Sequence, residues 1–139
     1  MKSVKQLDFF KNIREVREFE FGIFYYFNEF VISEIKEGVV FSWNMAEKAI
    51  RATHEIYGNE APFVYISNRI NNYYIMPIDW MKFHRNREKL NFYSVVGNTN
   101  ESLTSIVLER FFFRKPIPKF SDLEQAIEWS LAKINAQKG

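Results

Sequence analysis

Residues 65–77 read YISNRINNYYIMP. With the preceding residues they form a continuous apolar run, APFVYIS, at 61–67. Such a run predicts a central strand covered on both faces. The strand then breaks into Asn68, Arg69, Asn71 and Asn72, followed by Tyr73, Tyr74 and Pro77. In open α/β sheets, ligands and partners gather beyond the C-terminal ends of the strands. Asparagine supplies donors and acceptors, and Arg69 offers a fork for a carboxylate or phosphate. The tyrosine rings offer flat, amphipathic contact area. A second reading is a turn, in which asparagine side chains satisfy the local backbone. Both readings stand. On the first, Asn68, Arg69, Asn71, Asn72 and Tyr73 bind a partner or ligand.

Upstream, REFEFGIFYYF at 17–27 and FVISEI at 30–35 are strand-like, with Asn28 and Glu29 able to turn the chain between them. They predict a β-hairpin whose early part has one wet face. Residues 1–15 read as an N-terminal arm. A first helix is expected from Asn44, with Glu47 completing a capping box. Met45, Ala46, Ala49, Ile50, Thr53, Ile56 and Tyr57 share its inward face. Gly58 suits its end.

Downstream, Pro77 opens a short second helix, PIDWMKFH. NFYSVVG at 91–97 is a further buried strand, and Asn98 with Glu101 caps a third helix. Its inward residues are Leu103, Ile106, Val107 and Phe111. RKPIPKF at 114–120 carries two prolines, so it is a connector or an edge strand. Ser121 with Glu124 caps a fourth helix that turns Leu123, Ala126, Ile127, Leu131 and Ile134 inward. A hairpin followed by alternating strands and helices makes a single α/β domain over residues 1–139. Its expected core is a mixed sheet of four to five strands with about four packed helices.

A chain of 139 residues holds one ordinary domain. Fifteen Phe and seven Tyr call for a large aromatic core. The net charge of +2 argues against nucleic acid, whose binding is dominated by phosphate neutralisation. The basic, aromatic clusters at 82–89 and 110–115 are diluted by Glu88 and Glu109. No cysteine is present, which removes thiolate chemistry and Cys-based metal sites. His54 and His84 lack a second ligand at metal-binding spacing, so no metal is expected. Neither a glycine-rich phosphate loop nor a G-x-S-x-G elbow occurs. No catalytic residue and no cofactor are therefore assigned, and the chain reads as a non-enzyme. The N-terminal residues lack the apolar core of a signal peptide, and no run has transmembrane length. The expectation is a cytoplasmic protein without a membrane span.

Taken in order, EFGIFYYFNEFVISEIKEG, APFVYISNRINNYYIMP and SDLEQAIEWSL resemble the SpoIIAA-like fold of STAS domains. The likeness is greatest to small standalone bacterial members, and it covers about residues 17–134. The resemblance implies a regulatory or protein-binding module that docks a partner kinase or sigma-pathway protein. In that family a Ser or Thr near the start of the helix after the central strand is phosphorylated, and the added charge creates or abolishes docking. Ser67 is the hydroxyl near the matching place, and so the candidate phosphoacceptor. The D-S-[ST]-G-like pattern of the family is missing, and Pro77 opens the helix instead. The alternative function is a small-molecule or lipid carrier with an apolar pocket, by kinship with lipid-binding CRAL-TRIO folds. A homodimer through the aromatic-rich hairpin is a further expectation.

Overall fold

Glu20 and Phe21 form a tight turn inside the run that reads as one strand in the sequence. The run is thereby divided into β1 (Glu15–Phe19) and β2 (Gly22–Tyr26), paired antiparallel with Phe19 opposite Gly22. Glycine is required where β2 begins. A Cβ at Gly22 would stand 2.6 Å from the Glu34 carbonyl oxygen and 2.8 Å from the Ile35 Cα of the next strand. Asn28 and Glu29 then turn the chain into β3 (Val31–Ile35), which is antiparallel to β2.

The computed structural model describes residues 2–58, 64–75, 79, 82, 92–97 and 117–138. After β3 come β4 (Val40–Phe41), α1 (Trp43–Tyr57), β5 (Val64–Asn68), β6 (Tyr74–Ile75), β7 (Phe92–Val96) and β8 (Lys119–Phe120). The last element is α2 (Leu123–Lys138). The main sheet has the order β1-β2-β3-β5-β7-β8, and β3, β5, β7 and β8 run parallel. β4 and β6 form a separate two-stranded parallel ribbon.

The chain is α/β with a mixed sheet, but the sheet has six strands rather than four to five. The Glu20–Phe21 turn adds one strand, and RKPIPKF contributes the two-residue edge strand β8. Proline is tolerated there because its carbonyl alone is used: Pro118 O accepts from Val95 N at 3.1 Å. Two α-helices occur among the described residues, against about four expected. The second and third predicted helices fall outside those residues, apart from Asp79 and Lys82.

Both α-helix starts differ by one or two residues from the expected caps. Ser42, not Asn44, caps α1, accepting from Met45 N at 3.4 Å. Asp79 Oδ2 adds a bond from Trp43 N at 2.8 Å. At α2, Asp122 rather than Ser121 accepts from Glu124 N, at 2.8 Å. Serine, aspartate and asparagine all serve as caps, so neighbouring candidates compete and packing selects one. Gly58 closes α1 with φ of 63°, its N–H bonding His54 O at 2.9 Å.

Each face of the sheet carries its own core. Phe24, Tyr26 and Ile35 pack under the small face of α1, made by Ala46, Ala49 and Ala52. Ile50, expected inward, is 37% exposed. Alanines at 46, 49 and 52 let the middle of the helix approach the large rings of the sheet, while Met45, Ile56 and Tyr57 fill the space nearer its ends and Ile50 lies off this face. On the other face Tyr25, Phe27, Ile32 and Ile66 meet Leu123, Ala126 and Ile127 of α2. Residues expected as an arm complete that face. Two 3-10 turns, Val4–Gln6 and Asp8–Asn12, insert Val4 and Leu7 into this core.

Candidate functional site

Strand alternation divides the end of β5 between the two faces. Tyr65 and Ser67 look toward α1, whereas Ile66 and Asn68 look toward α2 and the N-terminal turns. Arg69 follows, its N–H bonded to Val96 O at 2.8 Å.

On the α1 face the Ser67 hydroxyl lies 2.9 Å from the Tyr73 hydroxyl and accepts from Arg69 Nε at 3.1 Å. Arg69 Nη2 donates to Tyr93 OH at 3.1 Å, and its guanidinium stacks 5.1 Å from the Tyr73 ring centre. Ser33 and Tyr65 hydroxyls bond beside them. Ser67, Arg69 and Tyr73 are thus brought together, but all are buried, at 1, 3 and 8% exposure. A kinase reaches Ser67 only if Tyr73 and Arg69 move away. The cluster fixes the path of the loop, since planar Arg69 ties the strand end to both rings.

On the opposite face Asn68 is 1% exposed. Its Nδ2 donates to Glu34 Oε2 at 2.8 Å and to Lys2 O at 3.1 Å. Glu34, next to the C-terminal end of β3, also accepts from Val4 N at 2.8 Å and Ser3 Oγ at 3.3 Å. Glu34 and Asn68 therefore grip the main chain of residues 2–4. A buried carboxylate persists where hydrogen bonds replace its water. Its charge also acts on Tyr25: burial first, and the Glu34 charge second, push that phenol well above its ordinary range.

Asn71 and Asn72 shape the loop's outer part. Asn71 Nδ2 donates to Ile35 O at 3.1 Å. Asn72 O accepts from Gly38 N at 2.8 Å, and Asn72 N donates to Glu37 Oε2 at 2.8 Å. Of these contacts only that of Asn71 uses an asparagine side chain, and it reaches Ile35 on the neighbouring strand rather than the local backbone that the turn reading expects. Together the contacts register β6 against β4, with Val40 opposite Tyr74 and Phe41 opposite Ile75. The ribbon has an inner and an outer side. Phe41 is buried, with its ring against Tyr73. Val40 and Tyr74 are 49 and 56% exposed, the two most exposed large apolar residues among those described.

The sequence reading offers both tyrosine rings as contact area, assigns only Tyr73 to the site, and does not single out Val40. Adjacent tyrosines in a strand point to opposite sides. Only the ribbon pairing reveals which one faces water. Glu34 was also missed, although a single acid inside FVISEI was a visible signal.

A cleft of about 400 Å³ lies between the N-terminal turns and α2. Leu7, Phe9 and Leu131 contribute apolar surface, and Lys2, Asp8 and Glu128 contribute charge. It is not the enclosed apolar pocket that a lipid carrier needs. Among the described residues no group of His, Asp or Glu gathers to hold a metal ion, and no helix is long and apolar enough to cross a membrane. Compared with known proteins, the chain matches no family model, no curated protein and no solved structure.

Proposed function

We propose that this chain is a non-enzymatic, STAS-like regulatory module that docks a protein partner through the outer side of the β4–β6 ribbon. The observation that carries the reading is the cross-strand pair Val40 and Tyr74. Their apolar surfaces lie side by side in water at the C-terminal end of the parallel strands. Exposed tyrosine and adjoining aliphatic surface are what a protein interface uses at its centre. The loop is held in advance by the Ser67, Arg69 and Tyr73 cluster, which lowers the ordering cost of docking. On this reading Arg69 and Tyr73 support the contact surface from the α1 side, Asn71 and Asn72 border it, and Asn68 lies on the opposite face, where it holds residues 2–4.

The test is the double variant Val40→Ser and Tyr74→Ser. Both side chains are exposed, so the thermal midpoint should stay close to that of the parent. Partners cross-linked to the parent in extracts of its own host should be lost, because removal of two central contacts weakens binding at least tenfold. Recovery of the same partners in the same yield by the double variant overturns this assignment.

A further inference from the structure

β1 is the long free edge of the main sheet. Among the described residues no strand lies beyond it, and the opposite edge, β8, has only two residues. An edge strand presents a row of N–H and C=O groups that its own sheet does not use. Charges usually protect such an edge from pairing. Those of β1 alternate as Glu15, Val16, Arg17, Glu18, and the alternation has a consequence for self-pairing.

We propose that two copies of this chain pair edge to edge through β1, antiparallel and centred on Val16, so that Glu15 of each copy faces Arg17 of the other. Identical edges related by a two-fold axis must run antiparallel and place one residue opposite itself. If Glu15, Arg17 or Glu18 occupies the axis, like charges stand directly opposite, which disfavours the pair. Val16 on the axis is the register in β1 that avoids this conflict and creates two opposite-charge pairs. The side chains agree with it. Arg17 contacts Glu15 and Glu55, which puts Glu15 and Arg17 together on the α1 face. Val16 projects to the other face and is 38% exposed, so the two copies of Val16 cover each other. Arg14 is committed elsewhere, donating to Ile56 O at 2.8 Å and stacking on Tyr57, and Glu18 stays in water. A five-residue edge buries less than about 1,200 Å², the range of weak complexes. The dimer is therefore expected to dissociate in the micromolar range, about 1–100 μM.

Sedimentation of the full chain from about 1 μM to about 1 mM tests this. The parent should pass from monomer to dimer within that range. Glu15→Arg places two cations opposite each other, and Arg17→Glu places two anions, so each variant alone should stay monomeric. Mixed in equal amounts they should form a heterodimer, seen in native mass spectrometry, because every cross-copy pair is again of opposite sign. Circular dichroism confirms that each variant is folded. Val16→Lys, which puts two ammonium groups on the axis, should also abolish the dimer and serves if either charge variant misfolds. A parent that stays monomeric at the highest concentration overturns the proposal. So does a dimer that survives the single variants, or a mixture of the two folded variants that remains monomeric.

Discussion

Gly22 sits in tighter surroundings than Gly38 or Gly58. Its backbone is pressed against β3, and an added methyl group would meet two main-chain atoms, Glu34 O and Ile35 Cα. Main-chain atoms in a paired strand cannot rotate aside as a flexible side chain can. Gly22→Ala should therefore cost about 1–3 kcal/mol, the range for forced overpacking. Urea unfolding measures it, and a midpoint equal to that of the parent would show that β2 and β3 separate without strain. The same substitution at Gly38 meets no atom within 4 Å, but its φ of 76° makes alanine unfavourable for a different reason. Composition marks glycine as a turn residue and does not distinguish these two demands. Tyr73 and Tyr74 pose a similar problem of orientation. Their neighbourhood was legible as the end of a central strand, while the inward and outward assignment depends on a β4 partner more than thirty residues upstream.

At the scale of elements, apolar runs located β3, β5 and β7, which are buried on both faces, and helical periodicity located α1 and α2. Neither signal revealed β4 and β6. Two-residue strands have no period to detect, and they exist through the bonds of Asn72 and Tyr74 to the 38–39 backbone. Nor did either place residues 2–12, which have little helical or strand pattern. They dock because Glu34 and Asn68 bond the Val4 N–H, the Ser3 hydroxyl and the Lys2 carbonyl, and the signature they carry is the short S-x-x-Q capping box of Ser3 and Gln6. Glu34→Ala should release this segment. It removes the acceptor for Val4 N, and a buried group left unsatisfied costs about 1–3 kcal/mol. Two readouts are expected together: lower stability in urea, and faster tryptic cleavage at Lys5 and Lys11 under native conditions. Unchanged cleavage would mean that Val4 and Leu7 hold the segment through apolar packing alone.

At the scale of the whole molecule, the aromatic core sets an upper pH limit on folding. Tyr25, Tyr26 and Tyr57 are each buried. Burial pushes the Tyr26 phenol up to about 12, and it raises Tyr25 and Tyr57 still further. Tyr26 OH donates to Ala49 O at 3.2 Å, and Tyr57 OH donates to Phe27 O, so both phenols are built in as proton donors. The folded chain thus holds these three protons at a pH where the unfolded chain, with ordinary values of 10.0, releases them. Stability from the raised values is fully present below pH 10.0 and is lost as pH rises through the folded values. Each such tyrosine steepens the loss by about 1.4 kcal/mol per pH unit. The urea midpoint should begin to fall above about pH 10, and the share of phenolate absorbance that the buried rings contribute should rise in step with loss of the near-ultraviolet circular dichroism. Tyr25→Phe should make the fall shallower, since phenylalanine has no proton to lose. Complete phenolate absorbance near pH 10 in a chain that keeps its native dichroism would show that these rings ionise while folded. That result would contradict a dry core on either face of the sheet.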